Sequence, residues 1–138
     1  MRRIELQEAP LDTAALVKTV GTKEDGAVLT FIGTARRGSM GKSVTHLHYE
    51  AYESMAIKEL GKIADEACSR WPVSDCVIVH RTGTVGLGEP SVFIGVSTPH
   101  RAEGFQALQF IIDTIKKTVP IWKKEFFEDG SMWVSERP

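Results

Sequence analysis

The segment at residues 111–125, IIDTIKKTVPIWKKE, constrains the fold more than any other, because a proline separates a helical pattern from a strand pattern. Pro120 has no backbone N–H and disfavours helical geometry in the residue before it, so the helix must end near Val119. The residues that follow, 121–127, are rich in β-branched and aromatic side chains and predict a strand. The chain is therefore expected to turn sharply here from a helix into a sheet.

Four lysines flank this predicted bend: Lys116 and Lys117 at the end of the helix, and Lys123 and Lys124 in the strand. Four cations around one rigid turn would suit an anionic ligand. The alternative is that lysines near a helix C-terminus complement the helix dipole and stay solvated, as most surface lysines do. The spacing alone leaves both interpretations open.

The length of the chain, 138 residues, is enough for one domain with a proper core and too short for two, so residues 1–138 are predicted to form a single domain. The formal net charge of -1 argues against a general nucleic-acid binder, which normally carries a basic excess. Any positively charged site must therefore be local, with acidic surface elsewhere.

The two cysteines, Cys68 and Cys76, have neither a CxxC spacing nor a metal-ligand pattern. We expect both to be buried free thiols, which suits a reducing cytoplasm. The N-terminus, MRRIELQEAP, lacks the apolar core of a signal peptide, and no apolar run approaches membrane-spanning length. The sequence therefore predicts a cytoplasmic protein that does not enter a membrane.

Hydrophobic periodicity predicts an α+β single domain of mostly antiparallel strands with three main helices. The predicted strands cover residues 3–7, 27–32, 44–52, 76–80, 91–97, 121–127 and 132–134, and the predicted helices cover 13–20, 54–71 and 101–119. Residues 38–43, GSMGKS, are expected to form a mobile loop, and residues 82–90, TGTVGLGEP, a glycine-rich connection between two strands. The inward stripes of the second and third helices are expected to include Ile57 and Phe105.

Three short patterns resemble known ligand sites but lack part of what those sites need. Residues 41–43, GKS, end like a P-loop, yet Arg36 stands where a glycine is required and a strand follows instead of a helix. The glycine-rich connection joins two strands, whereas a dinucleotide loop opens a helix. His46 and His48 share a strand face with Glu50, but no further ligand follows at a recognisable spacing, so a polar sheet face is favoured over a metal site. Neither a metal nor a cofactor is predicted.

Basic residues recur at the predicted ends of strands and helices, where scaffolds present functional side chains. Arg36 follows a buried strand, and His100 and Arg101 stand at the start of a helix, where free backbone N–H groups favour an anion. The lysines of the proline bend and Arg137 extend the set. Together they indicate a small phosphorylated or carboxylated ligand, on which a desolvated lysine could transfer a proton or attack a carbonyl carbon.

Several motifs match one known family in order. The matching segments are TFIGTAR at 30–36, YEAY at 49–52, RWP at 70–72, HRTG at 80–83, GEPSVFIGVSTPHR at 88–101 and VPIWKKE at 119–125. From about residue 4 to residue 137, the chain resembles the large, catalytic subunits of molybdopterin synthase. The resemblance implies an α/β-hammerhead-like arrangement of the predicted elements.

The resemblance implies a sulfur-transfer reaction. In that family a small ubiquitin-like partner subunit carries a thiocarboxylate on its C-terminal Gly-Gly tail, and the large subunit moves the sulfur onto cyclic pyranopterin monophosphate. Two transfers make the dithiolene of molybdopterin, in molybdenum cofactor biosynthesis. The family also implies a homodimer of large subunits with one small subunit at each end, a heterotetramer.

The resemblance further implies which residues act. Lys116 and Lys123 match the catalytic lysines, with Lys116 as acid/base and transient acceptor of the partner's acyl end, and Lys123 polarising or protonating the substrate. The implied substrate-binding residues are Thr34, Ala35, Arg36, His100, Arg101, Lys116, Lys123, Lys124, Glu125 and Arg137.

Two other functions compete with this one. A non-catalytic adapter would dock the ubiquitin-like tail, using Trp122, Phe126 and Phe127 as an exposed surface. A single-stranded nucleic-acid module would use the interleaved basic and aromatic residues of IWKKEFF. The near-neutral net charge weighs against the nucleic-acid module.

Overall fold

The computed structural model describes residues 1–135, so Arg137 lies outside the described residues. The elements are β1 (Arg2–Gln7), α1 (Thr13–Val17), β2 (Ala27–Thr34), β3 (Gly38–Ser39), β4 (Lys42–Ala51), α2 (Glu53–Arg70), β5 (Asp75–Arg81), β6 (Gly83–Gly86), β7 (Pro90–Thr98), α3 (Arg101–Thr118), β8 (Ile121–Phe127) and β9 (Met132–Ser135). Among residues 1–135, all but one of the strand pairings are antiparallel, the exception being β1 with β5. The predicted α+β class with three helices is confirmed.

The first sheet has the strand order β1-β5-β7-β2. Its two central strands, β5 and β7, are buried along almost their whole length, which explains their nearly continuous apolar sequences. They pair antiparallel, with Cys76 opposite Val96, as predicted. One face contributes to the main core and the other packs with α1 in a smaller cluster that includes Leu16 and Phe93.

The second sheet is built around β4, which pairs with β8 on one side and with β6 on the other. The predicted bend joins its strand β8 to α3. α3 ends at Thr118, Val119 adopts an extended conformation as its C-cap, and β8 begins directly after Pro120. The position of the bend is therefore confirmed.

Two segments predicted as loops are strands. Residues 38–43 form a tight hairpin in which Met40 and Gly41 both have positive φ, as a type I′ turn requires. Residues 83–86 form β6, whose backbone N–H and C=O groups pair with those of β4. The glycine content alone had indicated only a connection between two strands. Both predictions were wrong because glycine signals a turn without saying whether a sheet lies beside it.

The inward stripes of the long helices also differ from the prediction. Phe105 is 63% exposed and Ile57 is 44% exposed. The buried residues of α3 are Gly104, Ala107, Ile111 and Ile115. A Cβ at Gly104 would overlap Leu29 Cδ1, so the helix lies too close to β2 for a larger residue. The first turns of α3 therefore pack through a small residue, while the apolar residues Ile111 and Ile115 are buried further along the helix.

Candidate active site

A cavity of about 350 Å³ opens where the C-terminal end of α3 meets the end of β2 and the inner face of the second sheet. This volume lies within the range of about 300–1,000 Å³ that is usual for small-molecule sites. Apolar side chains of β2 and α3 form part of its wall. Its polar and charged lining residues are Thr34, Arg36, Ser39, Tyr49, His80, Ser91, Lys116, Lys123 and Glu125.

Both predicted catalytic lysines line this cavity. Lys116 lies in the last turn of α3, and Lys123 lies on β8 just beyond the proline bend. Lys123 and Glu125 share one face of β8, because side chains alternate along a strand, and they stand opposite Tyr49 and Leu47 of β4. The bend thus turns two segments that are adjacent in sequence toward one space.

Lys123 and Glu125 form an ion pair, with 3.3 Å between Lys123 Nζ and Glu125 Oε1. The Glu125 side chain is only 9% exposed, and its other oxygen, Oε2, has no hydrogen-bond partner among the described residues. A buried acceptor without a partner costs free energy unless a ligand supplies a donor. Glu125 can therefore accept a hydrogen bond from a molecule in the cavity.

Lys116 has a different environment. Much of the Lys116 residue is exposed. Partial desolvation, and secondarily the positive charge of Lys123, still lower the pKa of Lys116 below its ordinary value of 10.5. Both effects disfavour the charged ammonium. Lys116 therefore yields a neutral amine more readily than a solvated lysine does, which is the form needed for proton abstraction or nucleophilic attack.

Sequence reasoning gave no role to three polar residues of this wall, Tyr49, His80 and Ser91. His80 is 2% exposed, and its ring lies edge-on to Tyr49, with 5.0 Å between the ring centroids. Burial raises the pKa of Tyr49, the charge of Glu125 adds to this, and a hydrogen bond with Ser91 opposes it. The sequence did offer a signal for these residues, because each is a polar residue within or beside an apolar strand sequence. Tyr49 and His80 were noted only as parts of the family motifs YEAY and HRTG.

The segment after β2 is only partly directed at the cavity. Thr34 and Arg36 line it. Between them, the Ala35 N–H donates to the Glu89 carbonyl at 3.1 Å, and the Ala35 carbonyl accepts from the Gly88 N–H at 2.8 Å. These bonds hold the segment against the turn between β6 and β7. The backbone of Ala35 therefore serves the fold rather than a ligand.

His100 and Arg101 stand at the opposite end of α3 from Lys116. A helix rises about 1.5 Å per residue, so Arg101 and Lys116 are separated by about 22 Å along its axis. One copy of the chain therefore does not bring these predicted substrate-binding residues to the cavity.

Lys124 is also turned away from the cavity. It lies on the other face of β8 from Lys123, and its Nζ is 2.8 Å from Glu50 Oε1. On the same face, His46 stacks on Phe126, with 4.5 Å between ring centroids. This is the polar sheet face that the sequence favoured. Within residues 1–135, no group of three or more His, Cys, Asp or Glu side chains is arranged to hold a metal ion.

In the described part of the chain, no helix has the length and apolar character needed to cross a membrane. The cysteines of that part are unpaired, as predicted. Cys76 is buried, but the prediction of a buried thiol was wrong for Cys68, which is only half-buried. Burial raises the pKa of Cys76 to about 12, so it is a poor nucleophile.

Comparison with known proteins identifies the family of this cavity-bearing fold. A profile described as MoaE protein matches residues 6–118. The chain is 42% identical over 137 residues to the molybdopterin synthase catalytic subunit of Bacillus subtilis, covering 99% of this chain and 87% of that protein. It matches the crystal structure of molybdopterin synthase from Staphylococcus aureus with a TM-score of 0.90, at 37% identity and over 98% of both chains. A complex of subunits 1 and 2 of molybdopterin-converting factor from Helicobacter pylori contains the same fold, with a TM-score of 0.76 at 21% identity over 98% of this chain and 90% of that one. The chain therefore belongs to the MoaE family of molybdopterin synthase catalytic subunits.

Proposed function

We propose that this chain transfers sulfur from the C-terminal thiocarboxylate of a small ubiquitin-like partner subunit to cyclic pyranopterin monophosphate, forming the dithiolene of molybdopterin. The observation that carries the proposal is that Lys116 and Lys123 line one cavity in different environments. The sulfur arrives on the partner, so the chain needs no reactive cysteine of its own. The unpaired cysteines suit a reducing compartment, and we place the reaction in the cytoplasm.

The two lysines support two different roles. The ion pair with Glu125 holds the Lys123 amine in place in the cavity, so Lys123 is suited to polarise or protonate the substrate. Lys116 yields a neutral amine more readily, so it is suited to move protons and to take the acyl end of the partner tail.

In each transfer, the thiocarboxylate sulfur bonds to a substrate carbon as a carbon–oxygen bond at that carbon breaks, and the departing oxygen takes a proton. The bond from sulfur to the partner's acyl carbon then breaks as water or the Lys116 nitrogen attacks that carbon. The sulfur stays on the substrate, and the partner tail ends as a carboxylate, directly or after water hydrolyses the amide formed with Lys116.

The charges of the cavity support a phosphorylated pterin as the substrate. Arg36, Lys116 and Lys123 supply positive charge for a cyclic phosphate and for the thiocarboxylate. The buried Glu125 Oε2, which lacks a partner among the described residues, suits an N–H donor of the pterin ring. Apolar side chains such as Phe31 and Ile112 offer surface for the flat ring itself.

A two-subunit assembly is the setting we infer for this reaction. The complex from Helicobacter pylori joins subunits 1 and 2 of molybdopterin-converting factor, and we propose the same type of small subunit as the partner here. We also propose a homodimer of this chain within a heterotetramer. Since His100 and Arg101 lie about 22 Å from Lys116 along α3, they would serve the cavity of the second copy.

The test is a reconstituted assay with the thiocarboxylated partner and the precursor, in which molybdopterin is measured as its oxidised fluorescent derivative. Lys116→Ala and Lys123→Ala should each lower the rate by at least about 100-fold, because general acid–base groups contribute that much. Lys117→Ala and Lys124→Ala are the matched controls, since neither of these side chains lines the cavity, and both should stay close to the unmodified rate.

Full activity in a well-folded Lys116→Ala protein would overturn the role given to this lysine. Binding of the partner without any product from the unmodified chain would favour the adapter function instead. That alternative has less support from the fold: Trp122 is 37% exposed, but Phe127 is buried, so the proposed aromatic docking surface is incomplete.

A further inference from the structure

Arg81 is a buried charged residue at the end of β5 that the proposed mechanism does not use. Its Nε donates to the carbonyl oxygen of Glu8 at 3.1 Å. Its Nη1 lies 3.6 Å from Glu89 Oε2, too far for a hydrogen bond but close enough for an ion pair, and this nitrogen has no hydrogen-bond partner among residues 1–135. A guanidinium stays charged, and its burial is costly unless an opposite charge lies beside it. Glu89 supplies that charge.

The Glu89 carboxylate also braces the turn between β6 and β7. Its Oε1 accepts a hydrogen bond from the Gly86 N–H at 2.6 Å, and the Glu89 N–H donates to the Gly86 carbonyl at 3.0 Å. A Cβ on Gly86 would lie 2.7 Å from the same Oε1, so the turn closes on the carboxylate without room for a side chain. One carboxylate therefore joins this turn to Arg81.

The same turn holds the segment that carries Arg36 to the cavity. The Ala35 backbone bonds to the turn on both sides, to Glu89 at 3.1 Å and to Gly88 at 2.8 Å, just beyond an irregularity in the register of β2 with β7. Within the described residues, neither a hydrogen bond nor an ion pair reaches the Arg36 side chain. Its position therefore depends on how the backbone is held, at Ala35 on one side and at the Arg37 carbonyl on the other.

We propose that Arg81 and Glu89 are positioning residues for Arg36: their ion pair fixes the turn between β6 and β7, and the turn fixes the backbone from which Arg36 reaches the cavity. The inference rests on the proposed function, in which Arg36 supplies positive charge for the cyclic phosphate. Neither Arg81 nor Glu89 lines the cavity, so both act through the backbone and not on the substrate. A site is only as precise as the residues that support it.

The first test measures the anchoring of Ala35 without sulfur transfer. Amide hydrogen exchange at Ala35 and Gly88 is followed by NMR in the folded protein, because these two N–H groups donate the bonds between turn and segment. In Glu89→Ala, exchange at both amides should quicken by about 10-fold or more, since the turn loses its brace and opens locally. The Glu89 side chain is 45% exposed, so the substitution leaves the core intact.

Asp129→Asn is the matched control for this measurement. Asp129 also braces a turn by accepting a backbone N–H, from Ser131 at 2.8 Å, and does not line the cavity. It should leave exchange at Ala35 and Gly88 unchanged. Unchanged exchange in a folded Glu89→Ala protein, or equal quickening in the two variants, would overturn the proposal. Should Glu89→Ala not fold, Glu89→Gln, which removes only the charge facing Arg81, takes its place with the same expected direction.

The second test uses the reconstituted assay and asks whether the effect passes through Arg36. Glu89→Ala should raise KM for the precursor by about 10-fold or more with a smaller change in kcat, because a hydrogen bond to a charged group contributes at least about that much. In an Arg36→Ala background the same substitution should raise KM no further, since the group that it positions is gone. An equal rise of KM in both backgrounds would overturn the proposal.

The two tests separate this inference from the proposed function. If the unmodified protein transfers no sulfur, the proposed function fails, and the exchange measurement still decides whether Glu89 anchors the segment that carries Arg36. If sulfur is transferred but Glu89→Ala changes neither exchange nor KM, the positioning role alone fails.

Discussion

At the scale of the residue, the cavity gives two lysines that are seven positions apart different chemistry. Lys123 has a carboxylate 3.3 Å away, whereas the pKa of Lys116 is lowered by partial desolvation and by repulsion from Lys123, although much of the residue is exposed. Both were expected at the site from the sequence, but nothing in their identity distinguishes one from the other. The difference comes from the residues that surround them, and two of these, Tyr49 and His80, had no predicted role.

Burial of His80 makes the stability of the protein depend on pH in a defined window. Its pKa is about 4 in the folded state and 6.5 when exposed, so the unfolded chain alone binds a proton between these values. The free energy of unfolding should therefore fall as the pH drops from about 6.5 to about 4, by up to about 3 kcal/mol. Urea unfolding at pH 7.5 and pH 4.5 measures this loss.

The control for this prediction is His80→Gln, which cannot titrate. The loss between the two pH values should be smaller in the variant by at least about 2 kcal/mol. Identical losses in the two proteins would show that other groups, and not His80, cause the acid sensitivity.

At the scale of the element, α3 links the close packing of the core to the position of the site. Its N-terminal half lies against β2 at Gly104, and its last turn brings Lys116 to the cavity. Because a helix is a rigid rod, its approach to the sheet at one end affects where its other end lies. The absence of a side chain at Gly104 is a condition for that approach.

Two glycine substitutions test this view of α3. In Gly104→Ala the new Cβ would overlap Leu29 Cδ1 and lie 2.9 Å from Thr98 Oγ1, so we expect a loss of about 1–3 kcal/mol from overpacking. Gly61→Ala in α2 is the matched control, since a Cβ there meets nothing within 4 Å. It should stabilise the protein by up to about 1 kcal/mol, through better helix propensity. Equal effects, measured by urea unfolding, would show that backbone propensity, not packing, governs both sites.

At the scale of the whole molecule, a single copy of the chain holds only part of the set of basic residues that the sequence indicated. Arg36, Lys116 and Lys123 share the cavity, while His100 and Arg101 lie at the far end of α3. If the set acts together on one substrate, a second copy must complete it. The proposed homodimer follows from this separation.

Mixing two inactive variants tests whether each site is built from two copies. Lys116→Ala and Arg101→Ala should each be strongly impaired alone. After unfolding and refolding together, random pairing in a two-fold dimer makes half the dimers mixed, and one of their two sites is intact, so about a quarter of the unmodified activity should return. Refolding each variant separately is the control. No recovery, with mixed dimers shown to form, would mean that the two residues do not serve one shared site.

The sequence by itself determined the bend at Pro120, the paired strands β5 and β7, and the gathering of lysines near the bend, because these depend on local covalent geometry and on short-range hydrophobic patterns. Only the tertiary structure decided that Lys123 pairs with Glu125 and that the pKa of Lys116 is lowered. It also decided that Gly104 faces the core while Phe105 faces outward. These outcomes depend on contacts between residues distant in the chain, where distances of an ångström or less separate a fit from a clash, and no local pattern encodes them.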